Sequence, residues 1–129
     1  MINNKLDLIE YRVSRAKETY EEALLLAENK HWNAVANRLY YSCFYIVNAL
    51  LIKNDLSFST HNGVKSEFHR FFVKTGIVSM DSGRTYSRLF NLRQEGDYAD
   101  FQRFDGKDIE PFIEDVRKFL NEIELILSN

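Results

Sequence analysis

The sequence contains little proline, glycine and cysteine for its length. One proline and five glycines in 129 residues leave few places for sharp turns, so the composition favours long helices over many short strands. The single cysteine, Cys43, excludes an intramolecular disulfide and is typical of a reducing compartment. With 45% hydrophobic residues, the chain can bury a sizeable core, and we expect one domain over residues 1–129.

Long apolar runs and targeting signals are also absent. The most apolar stretch, residues 44–52, is too short to span a bilayer and contains Asn48. The first ten residues, MINNKLDLIE, lack the basic and apolar regions of a secretory signal. The sequence therefore predicts a soluble cytoplasmic protein that does not contact a membrane.

The formal net charge of −2 does not indicate a nucleic-acid-binding protein, but the charge is unevenly distributed. Between positions 61 and 93 there are six Lys or Arg residues against two acidic ones. We expect Lys65, Arg84, Arg88 and Arg93 to form one basic surface there, which is compatible with a partner that carries phosphate. The alternative is an ordinary solvated helix face.

Hydrophobic periodicity divides the chain into five helical segments. The second continues to about Lys53, and the third begins near His61 with Ser59 or Thr60 as its cap. Gly76 suits a helix end. The fourth helix opens at residues 79–82 and continues to Arg93, a polar loop follows to about Asp108, and the last helix has Pro111 in its first turn. The pattern predicts an all-α, antiparallel bundle of four to five helices.

The second helix has an apolar stripe, and its other side is not ordinary solvent-facing surface. That side mixes aromatic and polar residues, which indicates a helix buried on more than one face. We expect this helix to be central and to offer a face to a second subunit. The residues concerned are Asn37, Arg38, Tyr41, Tyr45 and Asn48.

Three polar clusters interrupt this scaffold: NRLYYSCFY (37–45), STHNGVKSEF (59–68) and NLRQEGDY (91–98). They give an Arg-x-Tyr-Tyr-x-x-Phe helix, a Ser/Thr-His-x-Gly-Val helix start and an Arg-x-x-x-Asp-Tyr helix end, in that order. From about residue 8 to residue 127 the chain resembles the HEPN domain, and within it the small stand-alone bacterial and archaeal branch.

The resemblance implies a helical bundle that forms a homodimer. Many members of this branch are toxins of toxin–antitoxin pairs, encoded beside a minimal nucleotidyltransferase that serves as the antitoxin. Active members are metal-independent endoribonucleases with an Arg-x(4–6)-His motif at the end of a bundle helix. In some systems the nucleotidyltransferase adenylylates a tyrosine close to that histidine.

The sequence departs from that motif, because the fifth, sixth and seventh residues after Arg93 are Tyr98, Ala99 and Asp100. Arg93 can still be the cation that binds phosphate. Asp97 lies where a base would act, although an ordinary carboxylate is a weak base at neutral pH. His61, at a helix start, is the other candidate for proton transfer, unless it only caps or packs.

The catalytic candidates are thus Arg93, Asp97 and His61, and the candidates for nucleotide or RNA binding include Arg38 and Tyr41. Lys65 and Tyr98 complete the binding set. A structural alternative is a buried Arg38–Asp97–Arg93 network, in which Gly96 leaves room for the turn. No Cys/His cluster or glycine-rich loop is present, so we expect no metal or cofactor. Two function classes remain open: a toxin-like ribonuclease, and a non-catalytic module that binds a nucleotidyltransferase, nucleotide or RNA.

Overall fold

The computed structural model describes residues 4–56, 59–98 and 103–129, and for residues 95–98 it describes the backbone alone. Within these ranges the regular structure is entirely helical, with no β-strand. The predicted all-α helical bundle is confirmed. Its elements are α1 (Asn4–Glu28), α2 (Trp32–Lys53), α3 (His61–Phe68), a π-helical turn (His69–Val73), α4 (Met80–Tyr98) and α5 (Gly106–Leu127).

Helix α2 lies at the centre of the bundle, as its pattern predicts. It packs against α1, α3, α4 and α5, and eleven of its 22 residues are buried. A short connection makes α1 its antiparallel neighbour. Because its core-facing side is apolar, burial of that side is the main favourable term that orders the helix. The buried residues are Val35, Ala36, Leu39, Tyr40, Ser42, Cys43, Ile46, Val47, Ala49, Leu50 and Leu51.

An aromatic cluster joins four of the helices. The Phe68 ring of α3 lies 5.2 Å from the Tyr86 ring of α4 and 5.8 Å from the Phe119 ring of α5, measured between centroids. Tyr86 in turn lies 5.8 Å from Tyr40 of α2. All four side chains are fully buried. Tilted aromatic pairs at these separations are favourable beyond the area that they bury, so this cluster fixes how α2 to α5 pack together.

Two predicted helix ends are confirmed. The Thr60 hydroxyl accepts a hydrogen bond from the backbone N–H of Gly63 at 2.9 Å, which caps α3. Gly76 has a φ of 82°, a conformation that is costly for residues with a Cβ, and it follows the π-helical turn.

Two other predictions about helix ends are wrong. Helix α4 does not end at Arg93 but continues through Gly96 to Tyr98, since one glycine costs only about 1 kcal/mol in a helix held by packing. Helix α5 begins at Gly106, so Pro111 lies in its second turn. The Asp105 backbone N–H donates to the Asp108 carboxylate at 3.2 Å, which starts the helix earlier than expected.

The π-helical turn was not predicted. Its hydrogen bond runs from the Lys74 N–H to the His69 carbonyl at 2.8 Å, five residues back. Gly83 of α4 packs against it so closely that a Cβ there would lie 2.8 Å from a methyl carbon of Val73. The absence of a side chain at position 83 therefore permits the close contact between this turn and α4.

The carboxylate of Glu122 connects α5 to the start of α4. It accepts the Ser79 backbone N–H at 2.7 Å, the Ser79 hydroxyl at 2.8 Å and the Ser82 hydroxyl at 2.7 Å. An anion at a helix N-terminus is stabilised by the N–H groups and by the helix dipole. One side chain from α5 thus positions the first turn of α4.

Cys43 is fully buried on the core side of α2, and burial raises the pKa of its thiol. A buried thiol that stays protonated is a poor nucleophile. No helix in the described part of the chain has the length and hydropathy that a bilayer-spanning segment requires.

Candidate functional site

The side of α2 that is not covered by the core carries a half-buried polar and aromatic stripe. Other helices cover the rest of α2, so this stripe is the side left at the surface. Residues three, four and seven apart lie on one helical face, which aligns Ala34, Arg38, Tyr41, Tyr45 and Asn48. The stripe places several functional groups where a ligand or a second protein can reach them.

The ring of Tyr41 contacts two guanidinium groups that come from different helices. The Cζ atom of Arg38 in α2 is 5.3 Å from the centroid of this ring, and the Cζ atom of Arg93 in α4 is 5.7 Å away. Arg93 also lies 5.6 Å from the ring of Tyr40. Each such contact is worth about 0.5–2 kcal/mol. The Tyr41 ring thus brings two positively charged side chains to one surface.

The polar contacts of Arg38 come from α1 and α2. Asn37 Oδ1 accepts from Arg38 Nε at 3.1 Å and from Nη2 at 2.8 Å. The Glu22 carboxylate lies 3.4 Å from Nη1 and is about half exposed, so the pair contributes little stability. The predicted Arg38–Asp97–Arg93 network depends on the side chain of Asp97, which lies outside the described residues.

His61 lies beside the same two tyrosines as Arg93. Its Nδ1 is 2.7 Å from the Tyr40 hydroxyl, and its ring stacks on Phe44 at 4.6 Å. The Tyr41 ring meets the imidazole edge-on at 5.7 Å. The structure therefore brings an arginine and a histidine to one aromatic surface, although the histidine comes from α3 and not from the residues after Arg93.

Tyr40 holds the imidazole of His61 from within the core. Burial raises the pKa of Tyr40 to about 12, and this outweighs the nearby Tyr86 hydroxyl and the charge of Arg93, which both lower it. The Tyr86 hydroxyl is itself buried and makes no hydrogen bond of good geometry to any residue that the structure describes, although it lies close enough to affect the pKa of Tyr40. Tyr40 is therefore a neutral phenol at physiological pH and positions His61 without carrying charge.

Sequence reasoning did not identify Tyr40 and Phe44 as parts of the site, since both lie on the apolar stripe of α2. One signal was available for Tyr40. A tyrosine at a core position needs a hydrogen-bond partner for its hydroxyl, and a nearby histidine is a good acceptor or donor.

The predicted basic residues do not form one surface. Lys65 Nζ lies 4.7 Å from the Phe90 ring, close to the Tyr40 cluster. Arg84 and Arg88 instead line a groove of about 310 Å³ with Lys118 of α5. Arg84 is nine residues from Arg93, which at 100° per residue places the two on opposite sides of α4.

The remaining candidates fall on the end of α4. The backbone of Asp97 and Tyr98 belongs to this helix, but their side chains lie outside the described residues. Across the ranges that are described, no group of three or more His, Cys, Asp or Glu residues could hold a metal ion.

Comparison with known proteins identifies the class to which this bundle belongs. The family model of the HEPN domain matches residues 9–126. The chain belongs to the HEPN domain family, as its three motifs predict.

Full-length relatives support the same assignment. A "UPF0332 protein" of Thermotoga maritima is 40% identical over 128 residues, covering 99% of this chain and 97% of the relative. "Putative toxin MJ0605" of Methanocaldococcus jannaschii is 30% identical over 121 residues, covering 89% of this chain and 90% of the relative. A second protein of that organism, "Putative toxin MJ0142", is 26% identical and covers 92% and 81% respectively.

Proposed function

We propose that this chain is a toxin-like HEPN protein that binds the phosphate groups of RNA or a nucleotide on the Arg38–Tyr41–Arg93 surface. The observation that carries the proposal is the pair of guanidinium groups on one tyrosine ring, at 5.3 and 5.7 Å. The two Methanocaldococcus jannaschii relatives carry the name "Putative toxin", which supports the biological class.

The arrangement suits a nucleic-acid ligand in two respects. Planar guanidinium groups bind phosphate oxygens through paired N–H donors, and Arg38 and Arg93 both bring such a group to the Tyr41 ring. The half-buried ring of Tyr41 offers an aromatic surface for a base, a contact worth about 1–3 kcal/mol in single-stranded complexes. Lys65 and Tyr98, the other predicted binding residues, would extend the contact.

Replacing both arginines by glutamine, Arg38→Gln with Arg93→Gln, is expected to weaken binding of a short single-stranded RNA by about tenfold to a hundredfold. Hydrogen bonds to charged groups contribute more than neutral ones, and both donors to phosphate are lost. The measurement is fluorescence anisotropy at low and at moderate salt, because lost phosphate contacts also reduce the slope of log affinity against log salt.

The matched control for this experiment is Arg84→Gln with Arg88→Gln. It removes the same charge from the groove with Lys118 and is expected to change affinity much less. Equal losses in the two double variants would show that binding depends on net charge alone and would contradict the proposed site.

The alternative function is metal-independent cleavage of RNA. Its support is the position of His61 beside the two rings that Arg93 contacts. An imidazole can accept the 2′-hydroxyl proton while an arginine stabilises the phosphate. Asp97 is the second candidate for the proton acceptor. In this case cleavage persists in EDTA, and His61→Gln removes cleavage while RNA binding remains. Binding without any cleavage would instead leave the non-catalytic function.

We further propose that the protein is a homodimer, joined through the Tyr45–Asn48 half of the α2 stripe. Tyr45 is half-buried there and contacts Arg15 of α1, whose Cζ is 5.3 Å from its ring. Light scattering at micromolar concentration is expected to give twice the chain mass, and Tyr45→Asp is expected to give the monomer. Tyr11→Asp, at an exposed tyrosine of α1, is the control. A monomer for the unmodified chain would contradict the proposal.

The same proposal includes a protein partner. By resemblance to its family, we propose that the chain acts in the cytoplasm with a minimal nucleotidyltransferase antitoxin. A polar and aromatic surface next to Tyr41 is suited to such a contact, because tyrosine and arginine are enriched at interfaces.

A further inference from the structure

Ser87 of α4 and His69 of the π-helical turn contact each other where these two elements pack together. Neither residue belongs to the proposed RNA site. Nε2 of His69 lies 3.0 Å from the Ser87 hydroxyl. Nδ1 of the same ring lies 2.9 Å from the backbone carbonyl of Lys65. Both side chains are half-buried, so they are held in place without being sealed from solvent.

Nδ1 of His69 faces the Lys65 carbonyl, and Nε2 faces both the Ser87 hydroxyl and the Gly83 carbonyl. When Nδ1 carries the hydrogen of the neutral ring, Nε2 has a lone pair and the Ser87 hydroxyl donates to it. A hydroxyl bonded to an imidazole that is oriented by a third group is the arrangement that activates a nucleophilic serine.

A pocket of about 280 Å³ opens onto this pair. Val73 and Met80 provide apolar walls, and Arg84 and Arg88 also line the pocket. Arg84 is paired with the Asp81 carboxylate, and Arg88 adds positive charge. A ligand with a small apolar body and an oxygen that gains negative charge matches this lining.

The backbone around the pair also suits proton transfer. The Gly83 carbonyl lies 3.2 Å from Nε2, where it can accept a hydrogen bond once that nitrogen is protonated. The close approach depends on glycine, because a Cβ at position 83 would lie 2.8 Å from Val73. The short π-helical turn begins at His69, and such turns are frequent at functional sites.

We propose that Ser87 is a nucleophile toward activated carboxylic esters with a small acyl group, and that His69 is its general base. The Ser87 oxygen attacks the ester carbonyl carbon while its proton moves to Nε2, giving an oxyanion near Arg84 and Arg88. The C–O bond of the ester then breaks, the leaving alcohol takes the proton from Nε2, and an acyl-serine remains. Water then attacks the acyl carbon and gives a proton to Nε2. The bond between the acyl group and the Ser87 oxygen breaks, that oxygen takes the proton from Nε2, and the carboxylic acid is released.

The test uses the folded full chain and a fluorophosphonate probe with a small alkyl chain. The Ser87 oxygen displaces fluoride from phosphorus, its proton moves to His69, and the probe becomes covalently attached. We expect mass spectrometry to locate the label at Ser87. Hydrolysis of p-nitrophenyl acetate is expected to fall by about a hundredfold or more in Ser87→Ala, the range typical of a lost acid–base pair.

Two variants separate catalysis from a structural role of this contact. Ser66→Ala changes an exposed serine of α3 and is expected to leave labelling unchanged. His69→Ala is expected to lose labelling and to regain it when imidazole is added, with circular dichroism confirming that the variant is folded. Should Ser87→Ala or His69→Ala fail to fold, Ser87→Cys in a folded chain gives the same test through accelerated alkylation. Absence of label at Ser87 in the folded wild type, or equal hydrolysis by Ser87→Ala, would overturn the proposal.

Discussion

Replacing Phe119 by alanine is expected to lower the free energy of unfolding by about 3–5 kcal/mol. The ring is fully buried and packs against Phe68 at 5.8 Å and Tyr86 at 6.2 Å. Removing it takes away apolar burial and leaves a cavity between α3, α4 and α5, since surrounding aromatic rings cannot collapse fully into the space. Urea denaturation followed by circular dichroism measures the change.

The control for this prediction is Phe71→Ala. Phe71 lies in the π-helical turn and is 37% exposed, so its loss is expected to cost much less, because the residue retains contact with water in the folded state. A comparable loss in the two variants would show that the cluster of Phe68, Tyr86 and Phe119 is not the centre of stability.

Replacing Glu122 by alanine is expected to cost about 2–3 kcal/mol, the range for losing a charged acceptor whose partners are left partly buried. Three hydrogen bonds to Ser79 and Ser82 disappear together. The Ser82 side chain is buried and would lose its acceptor, and the first turn of α4 would lose its anion. We expect a lower midpoint of thermal unfolding.

Glu124→Ala is the matched control, two residues further along the same helix. Its carboxylate makes an ion pair with Lys17 at 2.6 Å, with both side chains about half exposed, and such pairs contribute about 1 kcal/mol or less. If Glu124→Ala is as destabilising as Glu122→Ala, the helix-start role of Glu122 is wrong.

Local sequence signals predicted the scaffold where the physical cause is itself local. Thr60 caps α3 because its hydroxyl reaches an N–H three residues away, and Gly76 adopts a positive φ because it lacks a Cβ. The second helix ends at Lys53 as expected. The central position of α2 could be predicted because its apolar stripe is wide enough to cover several neighbours.

The remaining features depend on contacts between distant segments, which periodicity cannot reveal. The π-helical turn exists where Val73 packs on Gly83, and nothing in HRFFV alone indicates an i to i+5 hydrogen bond. His69 is half-buried and both of its nitrogens have partners, the Lys65 carbonyl and the Ser87 hydroxyl, which no local pattern indicates. The extension of α4 beyond Gly96 likewise reflects tertiary packing that overrides propensity.

Sequence patterns indicated which residues to consider for the candidate site, but they did not indicate the hydrogen-bond partners of those residues. The structure brings Arg38, Tyr41, Arg93 and His61 to one aromatic surface. The Tyr40 hydroxyl lies 2.7 Å from Nδ1 of His61, a contact that no sequence pattern indicated. Hydrogen-bond partners across a bundle are set by helix rotation, which a single sequence does not specify.

Because Cys43 is buried, the rate at which its thiol is modified can be used to measure opening of the helical bundle. The chain has one thiol, and it is fully buried on α2, so a reagent such as a disulfide-exchange dye reaches it only when the bundle opens. The rate of thiol modification in native buffer therefore measures how often the helices separate around α2, without any added label. The same signal would show whether binding of RNA or of a second subunit makes such opening rarer.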